Sequence, residues 1–207
     1  RMDTLIVYAH PYEESFCHAM LEAHARRLER EGLSYEIADL YADGFNPALS
    51  REELAVYNQG GVLDPLVKRY QQQVLSARRL ILICPIWWND IPAMLRGWFD
   101  KVMLIGSTWT TNENGNLIGK LDNIERVDVY TTSASPTSHT RDELGNAIEG
   151  ALIDGTLWQL GVAGRIQQGK PGLIEAGCAA WHNLGSVDSI SDDERAAWLC
   201  EIEFPQE

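Results

Sequence analysis

Apolar residues in this 207-residue chain fall into short unbroken runs and longer stretches with helical spacing. The run from Thr4 to Ala9 is continuous and β-branched, as expected of a strand buried on both faces of a parallel sheet. Ser15 is placed to cap a helix bearing Phe16, Met20, Ala23 and Leu28 on one face, with Gly32 ending it. Ser34 to Leu40 alternates as a second strand, Ser50 to Tyr57 predicts a short helix, and Pro65 to Ala77 a longer one. Leu80 to Cys84 is the clearest buried strand. Pro92 then opens a helix carrying Met94, Leu95, Trp98, Phe99 and Val102. Gly106 to Lys120, rich in Thr, Asn and Gly, predicts a loop, and Val127 to Thr132 a fourth strand. Thr140 to Glu143 has the form of a capping box opening a helix through Ala147 to Leu160. Gly161 to Gly177 has no readable period. Ala179 to Leu184 predicts a last strand, and Ser191 to Glu194 a capping box before a final helix. Strands and helices alternate throughout, which predicts one doubly wound parallel α/β domain over residues 2–207.

Charge narrows the function. Seventeen basic and 30 acidic residues give a net −13 and a pI near 4.8. Such a chain repels phosphate backbones and anionic headgroups, so nucleic-acid and membrane-surface roles are not expected. Cys17, Cys84, Cys178 and Cys200 are widely spread, with no C-x-x-C pair or His-containing metal spacing, which predicts reduced thiols, no metal and a cytoplasmic protein. The longest apolar run, Leu80 to Trp88, contains Pro85 and is too short to span a membrane. Leu5 to Ala9 is too short for the core of a signal peptide.

Ligands of open parallel sheets bind beyond the carboxyl ends of the strands. After the first strand, Ala9 to Cys17 has neither a G-x-G-x-x-G nor a P-loop pattern. It is a polar loop feeding a helix start, which suits a phosphate, with His10 and the Ser15 hydroxyl as added donors. A bare capped loop is the plain alternative, and Glu13 and Glu14 would have to point away from any phosphate. After the third strand, Trp87 and Trp88 stand between Pro85 and Pro92, a stiff aromatic loop able to wall a flat ligand or simply to cover the sheet edge. After the fourth, Thr131 to Ser135 offers small hydroxyl residues and backbone donors. Cys17 reads as a passive small residue, and His18, His24 and His182 as surface or satisfied histidines. Asp192 to Glu194 reads as a helix cap rather than a metal site.

Three segments together resemble the flavodoxin-like NAD(P)H:quinone reductase family of DT-diaphorase type. They are Tyr8 to Phe16; Pro85 to Val102, with its P-A-x-L-x-G-W-F-D-K-V helix; and Thr131 with Thr132. Order and spacing agree from Met2 to about Ser135. The resemblance implies a five-stranded flavodoxin-like sheet and a flavin, FAD or FMN, with FAD favoured by the Pro-Ile-Trp-Trp loop. It implies that His10, Ser15, Phe16 and Cys17 hold the phosphate end. Pro85, Ile86, Trp87, Trp88 and Asn89, with Thr131, Thr132, Ser133 and Ala134, would hold the isoalloxazine. His139 falls where the family has a tyrosine near the flavin and is the expected catalytic side chain. Trp109 lies close to the aromatics that wall the family's substrate pocket. Cys17 replaces the family's usual asparagine, and Ser133 with Ala134 its usual glycine pair.

The implied activity is a two-electron oxidoreductase using NADH or NADPH to reduce quinones or similar small-molecule electrophiles by ping-pong hydride transfer. Its partner would be a second copy of the chain, with active sites straddling the interface. A flavin-bearing regulatory subunit of a potassium-efflux system is the alternative. A one-electron flavodoxin is disfavoured by the length of the chain and the long Gly106 to Lys120 segment.

Overall fold

The computed structural model describes residues 1–164 and 171–206 and builds its sheet from the apolar runs. Strands β1 (Met2–Tyr8), β2 (Tyr35–Asp39), β3 (Ala77–Pro85), β6 (Arg126–Thr132) and β7 (Ala179–Leu184) form a parallel sheet in the order β2-β1-β3-β6-β7. The chain reverses direction across the sheet at β1, which makes the β1–β3 edge the topological switch point. Residues alternate cleanly between the two faces. Leu5, Val7, Leu80, Leu82, Val127, Val129 and Trp181 face a core closed by α3 (Pro65–Ser76), α4 (Ala93–Val102) and the segment after β6. Ile6, Tyr8, Ile81, Ile83 and Tyr130 face α1 (Phe16–Glu31) and α5 (Asp192–Glu203).

The ends predicted at Ser15, Gly32 and Ser191 hold. Ser15 caps α1, accepting from the His18 N–H at 3.2 Å, and Gly32 ends it at φ +68°. Ser50 and Ser191 form capping boxes with Glu53 and Glu194, at the starts of α2 (Arg51–Tyr57) and α5. Lys101 of α4 is buried and grips the preceding segment, donating to the Asn46 carbonyl at 2.9 Å and pairing with Glu53 at 2.8 Å. Gly97 lets α4 lie on that segment, because a Cβ there would fall 2.3 Å from Pro47.

Two expectations are corrected. Gly106 to Lys120 is not plain loop: it contains the antiparallel pair β4 (Trp109–Thr111) and β5 (Leu117–Gly119). Asn112 reverses the chain between them, its side-chain oxygen accepting from the amides of Asn114 and Asn116. The capping box at Thr140 does not form. Glu143 instead pairs with His139, and Thr140 lies inside a single π-helical turn, His139–Glu143. Gly145 and Asn146, at φ +82° and +47°, break the helix, and Asn146 restarts it by accepting from the Glu149 N–H at 3.1 Å. The second part, Ile148–Leu157, is also π-helical and buries Ile148, Leu152, Ile153 and Leu157. Of the stretch Gly161 to Gly177, residues 165–170 lie outside the described residues. Among the described residues no helix is long and apolar enough to cross a membrane.

Candidate functional site at the carboxyl ends of β1, β3 and β6

The three loops singled out by sequence converge. Parallel register aligns Pro85 of β3 with Thr132 of β6, and the Ile86 amide continues the ladder by donating to the Thr132 carbonyl at 2.8 Å. Cys17 Sγ lies 3.5 Å from Thr132 Oγ1, joining the start of α1 to the end of β6. The His10 and Trp87 rings approach to 6.2 Å between centroids, joining the β1 and β3 loops.

At the start of α1, the first-turn amides of Phe16 and Cys17 take no partner among the described residues. Free amides at a helix start attract anions. The His10 Nδ1 accepts from the Tyr12 amide at 3.1 Å, so the neutral ring carries its proton on Nε2 as a donor. Burial holds that ring below its usual pKa, keeping it neutral at pH 7. Glu14 is turned onto the Tyr12 hydroxyl. The Cys17 side chain faces Thr132 rather than solvent, and burial pushes its thiol up to about 11, so only its amide is available to a ligand. It is the passive residue expected.

The β3 loop is a two-residue reverse turn. Trp87 and Asp90 exchange backbone hydrogen bonds at 3.0 and 3.3 Å around Trp88 and Asn89, at φ +51° and +65°. Two positive φ values in such a turn suit Asn-Gly, and a tryptophan there is strained. Arg96 of α4 clamps the turn, donating to both Asp90 carboxylate oxygens at 3.2 and 3.3 Å. Trp88 is 97% exposed and Trp87 45%, so neither serves merely to cover the sheet edge.

Opposite this turn stands the segment after β6. Trp88, Asn89 and Ile86 face Ser133, Ala134, Ser135 and His139 across a cleft of about 320 Å³. The amides of Ala134 and Ser135 have no partner among the described residues. His139 is half-exposed, with Nδ1 held by Glu143 at 2.9 Å and Nε2 without a partner among the described residues. Thr131 and Thr132 are buried below the cleft, and the Thr131 hydroxyl is committed to Trp181 and Asn183.

Trp109 is not brought to this cleft. Its indole N–H is held by the Met103 carbonyl at 3.0 Å, and it lines a separate hollow of about 180 Å³ with Arg96, Phe99 and Thr156. A larger cavity, about 550 Å³, lies under α5 against Tyr130, His182 and Trp198, away from the strand ends. His24 departs from expectation: it is fully buried and, among the described residues, neither ring nitrogen has a partner. His182 is satisfied by Asp128 at 3.2 Å. Sequence reasoning missed Asp90, Arg96 and Glu143, whose pairings depend on turn and helix geometry. It also missed Asn183, for which an asparagine inside a strand was the available signal.

Comparison with known proteins agrees with this geometry. Residues 2–163 match a family model described as flavodoxin-like fold. An uncharacterized NAD(P)H oxidoreductase of Haemophilus influenzae is 30% identical over 162 residues, 78% of this chain and 79% of its own. An NAD(P)H:quinone oxidoreductase from Methanothermobacter marburgensis superposes with a TM-score of 0.74 at 27% identity, covering 98% of this chain and 95% of its own. An FMN-dependent NADH-azoreductase from Bacillus anthracis, in complex with FMN, gives a TM-score of 0.68 at 18% identity, with 98% and 96% covered, a likeness of fold alone. Rat and guinea-pig NAD(P)H dehydrogenase [quinone] 1 also match, but the chain spans only 44% of their length.

Proposed function

This chain belongs to the family of flavodoxin-like NAD(P)H:quinone reductases, and from that premise we propose that it is a flavin-dependent enzyme passing two electrons from NADH or NADPH to quinones or similar electrophiles by a ping-pong sequence. The observation that carries this reading is the convergence of two sets of free amides, at the start of α1 and in the 134–135 loop, with an aromatic wall between adjacent strand ends. The residues fit the group: one set suits a phosphate, the other the electron-rich edge of a flat ring.

When bound, the flavin supplies the hydride acceptor and donor. The chain's part is to hold and polarise it. Phe16 and Cys17 amides, the Ser15 hydroxyl and the His10 Nε2–H take the phosphate end. Ile86, Trp87, Trp88 and Asn89 form one wall, with Pro85, Thr131 and Thr132 fixing its base. The Ser133 to Ser135 segment forms the other wall, and its amides favour negative charge more than neutral oxygen. His139, oriented by Glu143, holds or delivers a proton at its free Nε2. We take FAD as the cofactor, with FMN the alternative that acid release and mass measurement would reveal.

Exposure of Trp88 in the cleft and of its neighbour Trp87 supports a homodimer in which a second copy excludes water from the site. The four free cysteines fit a cytoplasmic protein. The potassium-efflux alternative draws no support from the relatives described.

Steady oxidation of NADH or NADPH with a simple quinone as acceptor is the direct test. His139→Ala is expected to slow flavin reduction by roughly 10- to 100-fold in stopped-flow, while flavin affinity stays near wild type. Unchanged reduction with both donors would remove His139 from the mechanism. Absence of turnover by wild-type holoprotein with either donor would overturn the enzyme reading.

A further inference from the structure

We propose that Asn183, on edge strand β7 and outside the cleft, is a positioning residue that sets the Ala134 and Ser135 amides toward the reduced flavin; the inference rests on the flavin reading above. Register places Asn183 beside Thr131, and its side chain joins the strand ends to the loop. The Thr131 hydroxyl accepts from the Trp181 Nε1–H at 2.7 Å and donates to Asn183 Oδ1 at 2.8 Å. Asn183 Nδ2 donates twice, to the hydroxyls of Ser133 and Thr137, each at 2.9 Å. Those hydroxyls pass their own protons to carbonyls, Ser133 to Ser135 at 2.7 Å and Thr137 to Asn183 at 3.3 Å. Every proton has an acceptor. Turning the amide over would leave the Thr131 hydroxyl proton without one and would take the other two hydroxyl protons from their carbonyls, so the network fixes the amide's orientation.

The backbone of β7 reinforces it. The Ser133 amide donates to Leu184, and the amides of Ser186 and Val187 donate to Ser135 and Ser133. Gly185 leaves the room this needs: a Cβ there would fall 2.6 Å from the Thr137 nitrogen and 2.9 Å from its hydroxyl oxygen. The loop is therefore held on several sides, while the Ala134 and Ser135 amides take no partner among the described residues and both residues line the cleft. Donors fixed in advance favour a charged edge more than a neutral one, because they need no reorganisation when charge appears. Loosening Asn183 should therefore weaken binding of the reduced flavin more than that of the oxidised.

The test uses Asn183→Leu, which removes all three side-chain bonds, and Thr137→Val, which removes the two made by the Thr137 hydroxyl and leaves those to Thr131 and Ser133, should the first variant fail to fold. Amide hydrogen exchange is measured on flavin-free protein, and the affinity for oxidised flavin and the midpoint potential on the loaded protein. Faster exchange is expected at the hydrogen-bonded amides that hold the loop, those of Ser133, Ser186 and Val187. Oxidised-flavin affinity should change less than about threefold, and reduced-flavin affinity should fall roughly tenfold more than the oxidised, which lowers a two-electron potential by about 30 mV. Thr137→Val should move each readout the same way by less. Wild type that binds flavin, with variants unchanged in exchange and potential, would overturn the positioning role. Wild type that binds neither FMN nor FAD would instead overturn the flavin reading, and the proposal with it.

Discussion

Trp88 holds a bulky side chain where glycine usually stands, at φ +51° and almost wholly in solvent. A non-glycine residue there costs about 1–2 kcal/mol, and burial returns almost nothing at this exposure. Glycine would add back roughly 0.5–1 kcal/mol of chain entropy to the unfolded state. Within one subunit strain relief is the larger effect, so Trp88→Gly should stabilise flavin-free protein by about 0.5–1 kcal/mol in urea unfolding at dilutions where it is monomeric, while raising the KM for a quinone. A variant that is less stable, or that turns over as wild type does, would remove the indole from the site's design. His24 shows the opposite economy. Burial, with the positive charge of Arg27 as a smaller cause, pushes its pKa down to about 3, so the folded protein refuses a proton that the unfolded chain accepts below about 6.5. Stability is then complete above pH 6.5 and is lost as pH falls towards 3, at about 1.4 kcal/mol per unit from this residue. His24→Leu removes that loss. Between pH 7 and pH 5, wild type should lose about 2 kcal/mol more than the variant, and equal losses would show that His24 takes up its proton in the fold.

Helix α1 combines two duties at one residue, and a substitution separates them. Ser15 caps the helix by accepting from His18, and its rotatable hydroxyl can turn its proton to a phosphate. Aspartate caps as well as serine but brings a negative charge. Ser15→Asp should therefore keep the melting temperature of the flavin-free protein and weaken flavin binding at least tenfold, by the loss of a charge-assisted bond worth roughly 1.5–3 kcal/mol. Retained affinity would place the phosphate elsewhere. The same locality explains what sequence revealed. Strands buried on both faces write continuous apolar runs, and caps lie within three residues of their partners, so Ser15, Gly32 and Ser191 were legible. The failed capping box at Thr140 shows the limit. Thr-x-x-Glu was present, but Glu143 had a better partner in His139, and the break at Gly145 and Asn146 lay just beyond the motif. The β4–β5 pair was hidden because three-residue strands are too short to show alternation. In the site, the loops were legible from their place after strands, whereas the Asn183 network and the Asp90–Arg96 clamp join residues that only the folded chain brings together.

At the scale of the whole molecule, the sheet brings three loops to one edge and leaves an open cleft with an aromatic rim. Covering that rim is the task assigned to a second copy of the chain. Sedimentation at micromolar concentration should give a dimer, and Trp88→Gly should weaken it; a fully active monomer would refute the shared site. The central claim is simpler than the dimer: the strand-end cleft holds a flavin. Purified protein stripped of any cofactor should be titrated with FMN and with FAD while flavin fluorescence is followed. The account predicts saturable quenching by at least one of them with a Kd below micromolar, weakened in Ser15→Asp. Failure of both flavins to bind at micromolar concentration would contradict it.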